Sequence, residues 1–434
     1  MPARRTLLHL FDAAVAEADP LAPTREVLGA RLAERRDDAR GWVIAVGKAA
    51  GRMAKAARLA AADTDLELAG GLIISHEPVA VAPDTPFEAL ISDHPVPGPR
   101  ARHAALRLGA LTQAVIPGDH VLLVVSGGTS SLLAAPVDGV SEAALDHLWR
   151  LLLGAGSATD VRVMNTIRRR FLRWAGGRLA QALEGAQLHQ VLLSDVVGDD
   201  PALIGSGPAI PDATHAADIL ALLREHRLIT RVDSSIVAHL NDVVAGLRPE
   251  TPKPSAPLFN TVDAPTVLGR TRLHDGVLRA AKESGLTVHL HRNPLTGPAA
   301  TAGRALAHTL AESAAPGVHC WTGETTVDLG KHHGRGGRSQ ELALSAALSL
   351  SRLGEAGERV TVLAAGTDGR DGPTDAAGAI VDAGTAARIA ATGVDPDAAL
   401  VRHDAYPALD AAGALIRTGA TGTNVADIVL ALVR

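Results

Sequence analysis

Two hydrophobic rhythms alternate along the chain: short apolar runs of strand length, and longer stretches with apolar residues at helical spacing. Residues 42–46, 72–75, 90–92, 121–125 and 190–194 read as strands, and residues 49–62, 100–114, 142–153 and 163–183 as helices. The first 40 or so residues read as two charged, Ala/Leu-rich helices, and residues 212–247 as helical. Strands alternating with helices imply a largely parallel sheet covered by helices on both faces. The proline-rich run 248–257 reads as a linker, so domains are expected at 1–247 and 248–434. Beyond it the alternation resumes, with helices at 273–284, 299–313 and 342–353 and strands at 287–291, 318–322, 360–364 and 428–433.

Composition narrows the function classes. The chain has 434 residues, 47% apolar and 21% charged, an ordinary globular balance of a size for two or three domains. A net charge of −5 and 2% aromatic content give neither a general attraction for nucleic acid nor stacking platforms for single strands. The single cysteine, Cys320, excludes an intrachain disulfide and a cysteine-rich zinc site, and its apolar surroundings suit a buried thiol. No stretch of roughly 18 apolar residues is present, so no membrane partner is expected. The N-terminal segment reads as an amphipathic helix instead of a signal peptide, which makes the cytoplasm the expected location.

The motif-dense stretches follow the strands. After the run 121–125 come Ser126-Gly127-Gly128 and the hydroxyl cluster Thr129-Ser130-Ser131, a strand, glycine turn and helix start that point N–H groups at an anion. An ordinary strand-to-helix connection has the same outline. Lys48 follows another strand and opens a helix, where a cation opposes the helix dipole and a bound phosphate would explain it. It is no Walker lysine, since five residues separate Gly41 from Gly47 and Ala49 stands where Ser or Thr would hold magnesium. Arg335 and Arg338, flanked by glycines, suit bidentate binding of carboxylate or phosphate. Asp195, Asp199, Asp200, Asp368 and Asp371 lie in glycine-rich loops, where carboxylates bind magnesium, serve as bases or simply build turns. His94, in the loop Asp93 to Pro99, suits a substrate hydroxyl. No G-x-G-x-x-G is present, since Ser339 stands where the last glycine of 334–339 would fall, which weighs against a nicotinamide cofactor.

Taken together, VGKAAGRMA, SDHPVPGPR, SGGTSSLL, LSDVVGDDPALIGSGP, GETTV, GRGGRSQELAL, GTDGRDGPTDAAGAIVD and TGATGTNVADI resemble, in that order, the glycerate 2-kinases of the GckA/TtuD type, with a DUF4147 and a MOFRL domain. The resemblance runs from about Gly41 to Val433. It implies two α/β domains, the first a Rossmann-like three-layer parallel sheet and the second a smaller mixed sheet, with the active site in the cleft between. It also implies ATP-dependent phosphorylation of D-glycerate at the 2-hydroxyl with a divalent cation, Mg2+, to give 2-phosphoglycerate. Lys48, Arg338 and Asp368 match the family's catalytic motifs, and Asp195 lies in the matching LSD motif. The loop Ser126, Gly127, Gly128, Thr129 and Ser130 matches the nucleotide phosphate site. His94, Arg335 and Glu324 are the expected substrate contacts, Asp195 and Asp199 the expected metal ligands, and a homodimer is compatible with the pattern. Departures from the family, such as Ser339 within GGRSQE and Ala420 within TGATGTN, bear on which hydroxy acid is taken. The alternatives are a kinase for a related hydroxy acid, a hydroxypyruvate reductase, or a sugar-phosphate sensor without catalysis.

Overall fold

The computed structural model describes residues 3–35, 39–154, 161–196, 198–330 and 333–434. Its contacts divide the chain into two compact units, Pro20–Leu268 and Met1–Asp19 together with Gly269–Arg434.

In the unit Pro20–Leu268 the Val/Ile/Leu runs become β1 (Gly41–Val46), β2 (Leu68–Ser75), β3 (Phe87–Ile91), β4 (His120–Val125), β5 (Gln187–Leu193) and β6 (Thr266–Leu268). All pair in parallel in the order β3-β2-β1-β4-β5-β6, the doubly wound order of dinucleotide-binding folds. β4 is buried at every position, as a strand covered on both faces must be, and this is why its sequence is a continuous apolar run. The order reverses between β1 and β4, and at such a switch point the connections leave in opposite directions and open a crevice at the strands' carboxyl ends. Register pairs Val46 with Val125, so Gly47 and Ser126 leave the sheet side by side.

The helix expected over 163–183 is two helices, Val161–Phe171 and Arg178–Ala182. Gly176 and Gly177, at φ 59 and 83, turn the chain between them. The stretch 212–247 likewise breaks into Ala216–Glu225 and Ser234–Val244, the second capped by Asp233 accepting from Ser235 N. The run 248–257 is not a linker. Thr251 is buried, Pro252 O accepts from Asp212 N, and the buried Arg170 guanidinium binds Thr251 Oγ1 at 2.7 Å and pairs with Glu250. Prolines removed donors from this run but left carbonyls and flanking polar groups that the unit uses. The units therefore divide at 268/269 instead of 247/248, and the first 19 residues join the later unit.

That unit carries β7 (Val288–Leu290), β8 (Leu295–Pro298), β9 (Gly317–Thr326), β10 (Val360–Gly366), β11 (Gly378–Asp382), β12 (Leu415–Ile416) and β13 (Asp427–Val433). The order is β12-β11-β10-β13-β9-β7, with β8 on β9; β7 and β8 run parallel to β9 and the other pairs are antiparallel. One core joins these strands to the helices Ala299–Glu312 and Arg338–Arg352. The second helix begins four residues before the expected 342, and its positions 339–350 are all buried. Cys320 is fully buried and its thiol is pushed up to about 12 by that burial, an inert packing group. Among the described residues no helix is long and apolar enough to cross a membrane.

Candidate active site

The first cluster lies at the β1/β4 switch point. Gly47 takes φ +125, and a β-carbon there would stand 2.1 Å from Ser126 Oγ, so only glycine allows the two loops to touch. The loops are stitched by Lys48 N donating to Gly127 O (2.9 Å) and Ala49 N to Ser126 Oγ (3.0 Å). Thr129 Oγ1 donates to Val46 O and Ser126 O, and Ser131 Oγ donates to Gly128 O. Of the hydroxyl cluster, Thr129 and Ser131 are committed to this internal net, as is the buried Ser126. What the loop leaves open is backbone. Among the described residues the N–H groups of Gly127, Gly128, Thr129 and Ser130 meet no acceptor. Only one helical turn, Thr129–Leu132, follows, so the anion-binding capacity comes from consecutive amides and owes little to a helix dipole.

Two side chains close over that backbone. A β-carbon at Gly128 would lie 3.0 Å from His94 Cδ2 and 3.5 Å from Lys48 Cγ, which puts both residues directly against the loop. Asp93 Oδ2 accepts from Arg100 N and Ala101 N at the start of the helix Pro99–Ala114, so the acid beside His94 is a cap. His76, at the end of β2, meets the His94 ring edge-on at 5.8 Å.

β5 neighbours β4, and the acidic loop that follows it packs on the same site. Ser130 Oγ lies 2.6 Å from Ser206 Oγ, and Gly205, Ser206 and Gly207 all take positive φ to bring that contact about. Asp195 is half-buried two residues beyond β5. Asp199, at φ 52, has a buried Oδ1 that meets no hydrogen-bond partner among the described residues, while Asp200 is committed to Ala202 N. Val197 of this loop lies outside the described residues. Arg169 anchors the loop from beneath through Ala202 O.

The second cluster belongs to the other unit. Register aligns Gly366, Asp427 and Gly323 across β10, β13 and β9, so the acids at these strand ends converge. Arg338 opens its helix there and forms a fork with Asp427, Nε to Oδ2 at 2.6 Å and Nη2 to Oδ1 at 3.1 Å, while Nη1 donates to Glu324. Burial works against the charge on Arg338, but Asp427 and Glu324 outweigh it and hold its pKa above the usual arginine value. Asp368 Oδ1 closes a turn on Arg370 N; the β-position of Gly366 is 3.4 Å from that oxygen and 3.5 Å from Asp427 Oδ1. Glu324, expected at the substrate, is thus the partner of Arg338.

Asp371 occupies the start of the same helix, accepting from Ser339 N (3.1 Å) and Gln340 N (2.7 Å). Burial, with the Asp427 charge beside it, pushes its carboxyl up to about 7 against those two donors. The amides at this helix start are therefore taken by the protein's own acid. Arg335 does not join Arg338. Its guanidinium lies 4.2 Å over the Tyr406 ring, and its N–H donates to Asp404. Asp427 was missed in the sequence, although it sits in the TGATGTNVADI motif. Its only signal was a carboxylate at the mouth of an apolar strand.

A six-stranded parallel sheet in this order, with open amides at its switch point, defines a doubly wound α/β protein. The family described as "Domain of unknown function (DUF4147)" matches residues 6–241, and the MOFRL family matches residues 317–427. The chain belongs to this DUF4147–MOFRL family, in which glycerate 2-kinases are found. It is 36% identical over 398 residues to the D-glycerate 2-kinase of Thermotoga maritima, covering 90% of each chain. It is 36% identical over 436 residues to a putative hydroxypyruvate reductase of Agrobacterium vitis, covering 98% of this chain and 93% of that one. The crystal structure of a Thermotoga maritima glycerate kinase superposes with a TM-score of 0.80 at 33% identity, over 99% of both chains.

Proposed function

We propose that the chain is a glycerate 2-kinase, moving the γ-phosphoryl group of ATP to the 2-hydroxyl of D-glycerate to give 2-phosphoglycerate. The observation that carries this is the row of four amides from Gly127 to Ser130 at the sheet's switch point, with Lys48 and His94 against it. Phosphoryl transfer asks chiefly for positioning and for neutralising charge on oxygens. The amides hold nucleotide phosphates, and Lys48 supplies a compact cation to the group in flight. His94 orients the acceptor. Arg338 adds charge neutralisation, and Asp368 or Asp195 aligns the 2-hydroxyl and takes its proton. Arg335, stacked on Tyr406, has no part in this set.

Magnesium ions held with a nucleotide need one or two carboxylates, the rest of the shell being phosphate and water. Asp195 and the orphaned Asp199 Oδ1 fit that demand, and among the described residues no larger set of His, Cys, Asp or Glu is assembled for a metal. When bound, the ion would neutralise phosphate oxygens. Cytoplasmic location and a homodimer belong to the same reading; sedimentation of the purified chain tests the second.

The test is a coupled ADP-release assay over glycerate, erythronate, threonate and tartronate, with phosphorus NMR of the product. D-Glycerate with phosphorylation at carbon 2 is expected to dominate. Lys48→Ala should lower kcat by about 100-fold or more, the scale of losing one electrostatic group, with an unchanged melting temperature. Near-normal turnover would remove Lys48 from the mechanism. The Agrobacterium relative's name and the strand order favour one rival, hydroxypyruvate reduction. NADH oxidation by hydroxypyruvate with this protein would establish it, and none is expected.

A further inference from the structure

We infer that the two carboxylates on Arg338 do different work: Asp427 positions the guanidinium, and Glu324 occupies the edge that an anionic group of a substrate takes. The inference rests on the kinase reading above and goes beyond it by naming which partner stays and which leaves.

A guanidinium offers two paired edges, one made by Nε and Nη2 and the other by Nη1 and Nη2. Asp427 fills the first edge with both oxygens. Its side chain is 13% exposed, and its backbone is paired on both sides, to Gly366 and to Gly323. The preceding Ala426 is held at φ 97, its carbonyl accepting from Thr367 Oγ1 at 2.7 Å. Such a residue has no room to move. Glu324 is held less tightly: its backbone in β9 pairs with Thr296 of β8 but lies one residue past the last pair with β13. It touches Nη1 alone through one oxygen, its side chain is 40% exposed, and it has one more rotatable bond than aspartate. Leaving Arg338 costs it little, because an exposed carboxylate regains water while a buried one does not. Once Glu324 swings away, Nη1 and Nη2 present an open edge of the geometry that carboxylate and phosphate accept. While it stays, its negative charge covers that edge and repels an incoming anion.

The experiment is steady-state kinetics on the full chain with D-glycerate and ATP·Mg varied in turn. Glu324→Gln should lower KM for one of the two substrates roughly three- to tenfold and raise kcat/KM by the same factor, as removal of a competing ground-state contact does. Asp427→Asn should lower kcat by about 100-fold, the scale of misplacing a charge-stabilising group. Because Asp427→Asn also disturbs a buried pair, a second readout separates position from folding. Added guanidinium should restore part of the activity of Arg338→Ala, and none to the Arg338→Ala/Asp427→Asn double variant. A raised or unchanged KM in Glu324→Gln, a 100-fold loss of its kcat, or equal rescue in both backgrounds would each overturn the inference. Absence of kinase activity in the unaltered protein would instead defeat the functional reading.

Discussion

At the scale of single residues, the site depends on side chains that are absent. Gly47 and Gly128 let two loops and two functional side chains come within contact of one another, and a methyl group would separate them. Gly47→Ala places a β-carbon 2.1 Å from Ser126 Oγ and 2.6 Å from the Ser126 carbonyl oxygen at a left-handed φ. The expected loss is about 2–4 kcal/mol, from strained backbone and displaced loop together, read by urea denaturation. A change below about 0.5 kcal/mol would mean that the two loops are free to part. Lys48, His94 and the SGG loop could be picked out as a strand-end lysine, a histidine among prolines and a glycine turn. The inward commitment of Ser126 and Thr129 could not, because a hydroxyl reads the same in sequence whether it faces a ligand or the carbonyl of Val46.

Among elements, the helix Arg338–Arg352 shows how a start site is decided by a distant acid. Nothing local caps it, since its N-cap residue is Gly337 and the cap comes from Asp371, 32 residues on from Ser339. Asp371→Ala should cost about 1–2 kcal/mol, the usual worth of an N-cap, measured by thermal unfolding. The pH dependence has a definite sign. The folded-state carboxyl is raised to about 7 from 3.8, so the folded protein holds a proton that the unfolded chain has released between those values. The stability this contributes is complete below about pH 4 and declines up to pH 7, and the gap between unaltered protein and variant should be wider at pH 5 than at pH 8. An equal gap at both would show that Asp371 titrates normally. Apolar runs such as 121–125 and 360–364 were legible as strands because burial on both faces demands them. The helix boundaries at 171, 178 and 338 were not, because glycine conformation and remote caps set them.

In the whole molecule, connectivity and compactness part company. The N-terminal helix Ala3–Glu17 lies against Thr271–Glu283, where Gly276 admits it: a β-carbon there would stand 2.5 Å from Ala13 O and 2.8 Å from Ala14 Cα. Glu17 pairs with Arg272 and Arg279, and Thr423 Oγ1 donates to Ala18 O. Gly276→Val should release this helix, lowering the melting temperature by several degrees and speeding amide exchange in residues 3–17, while exchange in β1 and β4 stays as it was. Unchanged exchange in the helix would show that the packing tolerates the larger side chain.

The amino-acid sequence by itself determined the strand-and-helix alternation, the loops that carry chemistry and the family, because these rest on local hydrophobic period, glycine placement and motif order. Tertiary structure alone decided three things. It placed Asp427 beside Arg338, 89 residues away in the chain, since antiparallel register gathers the ends of β9, β10 and β13 where that helix begins. It anchored a proline-rich run against its own unit, since Arg170 was there to receive Thr251 and Glu250. It also assigned the first 19 residues to the later unit, since a helix joins whatever apolar face accepts it, however far along the chain that face is made.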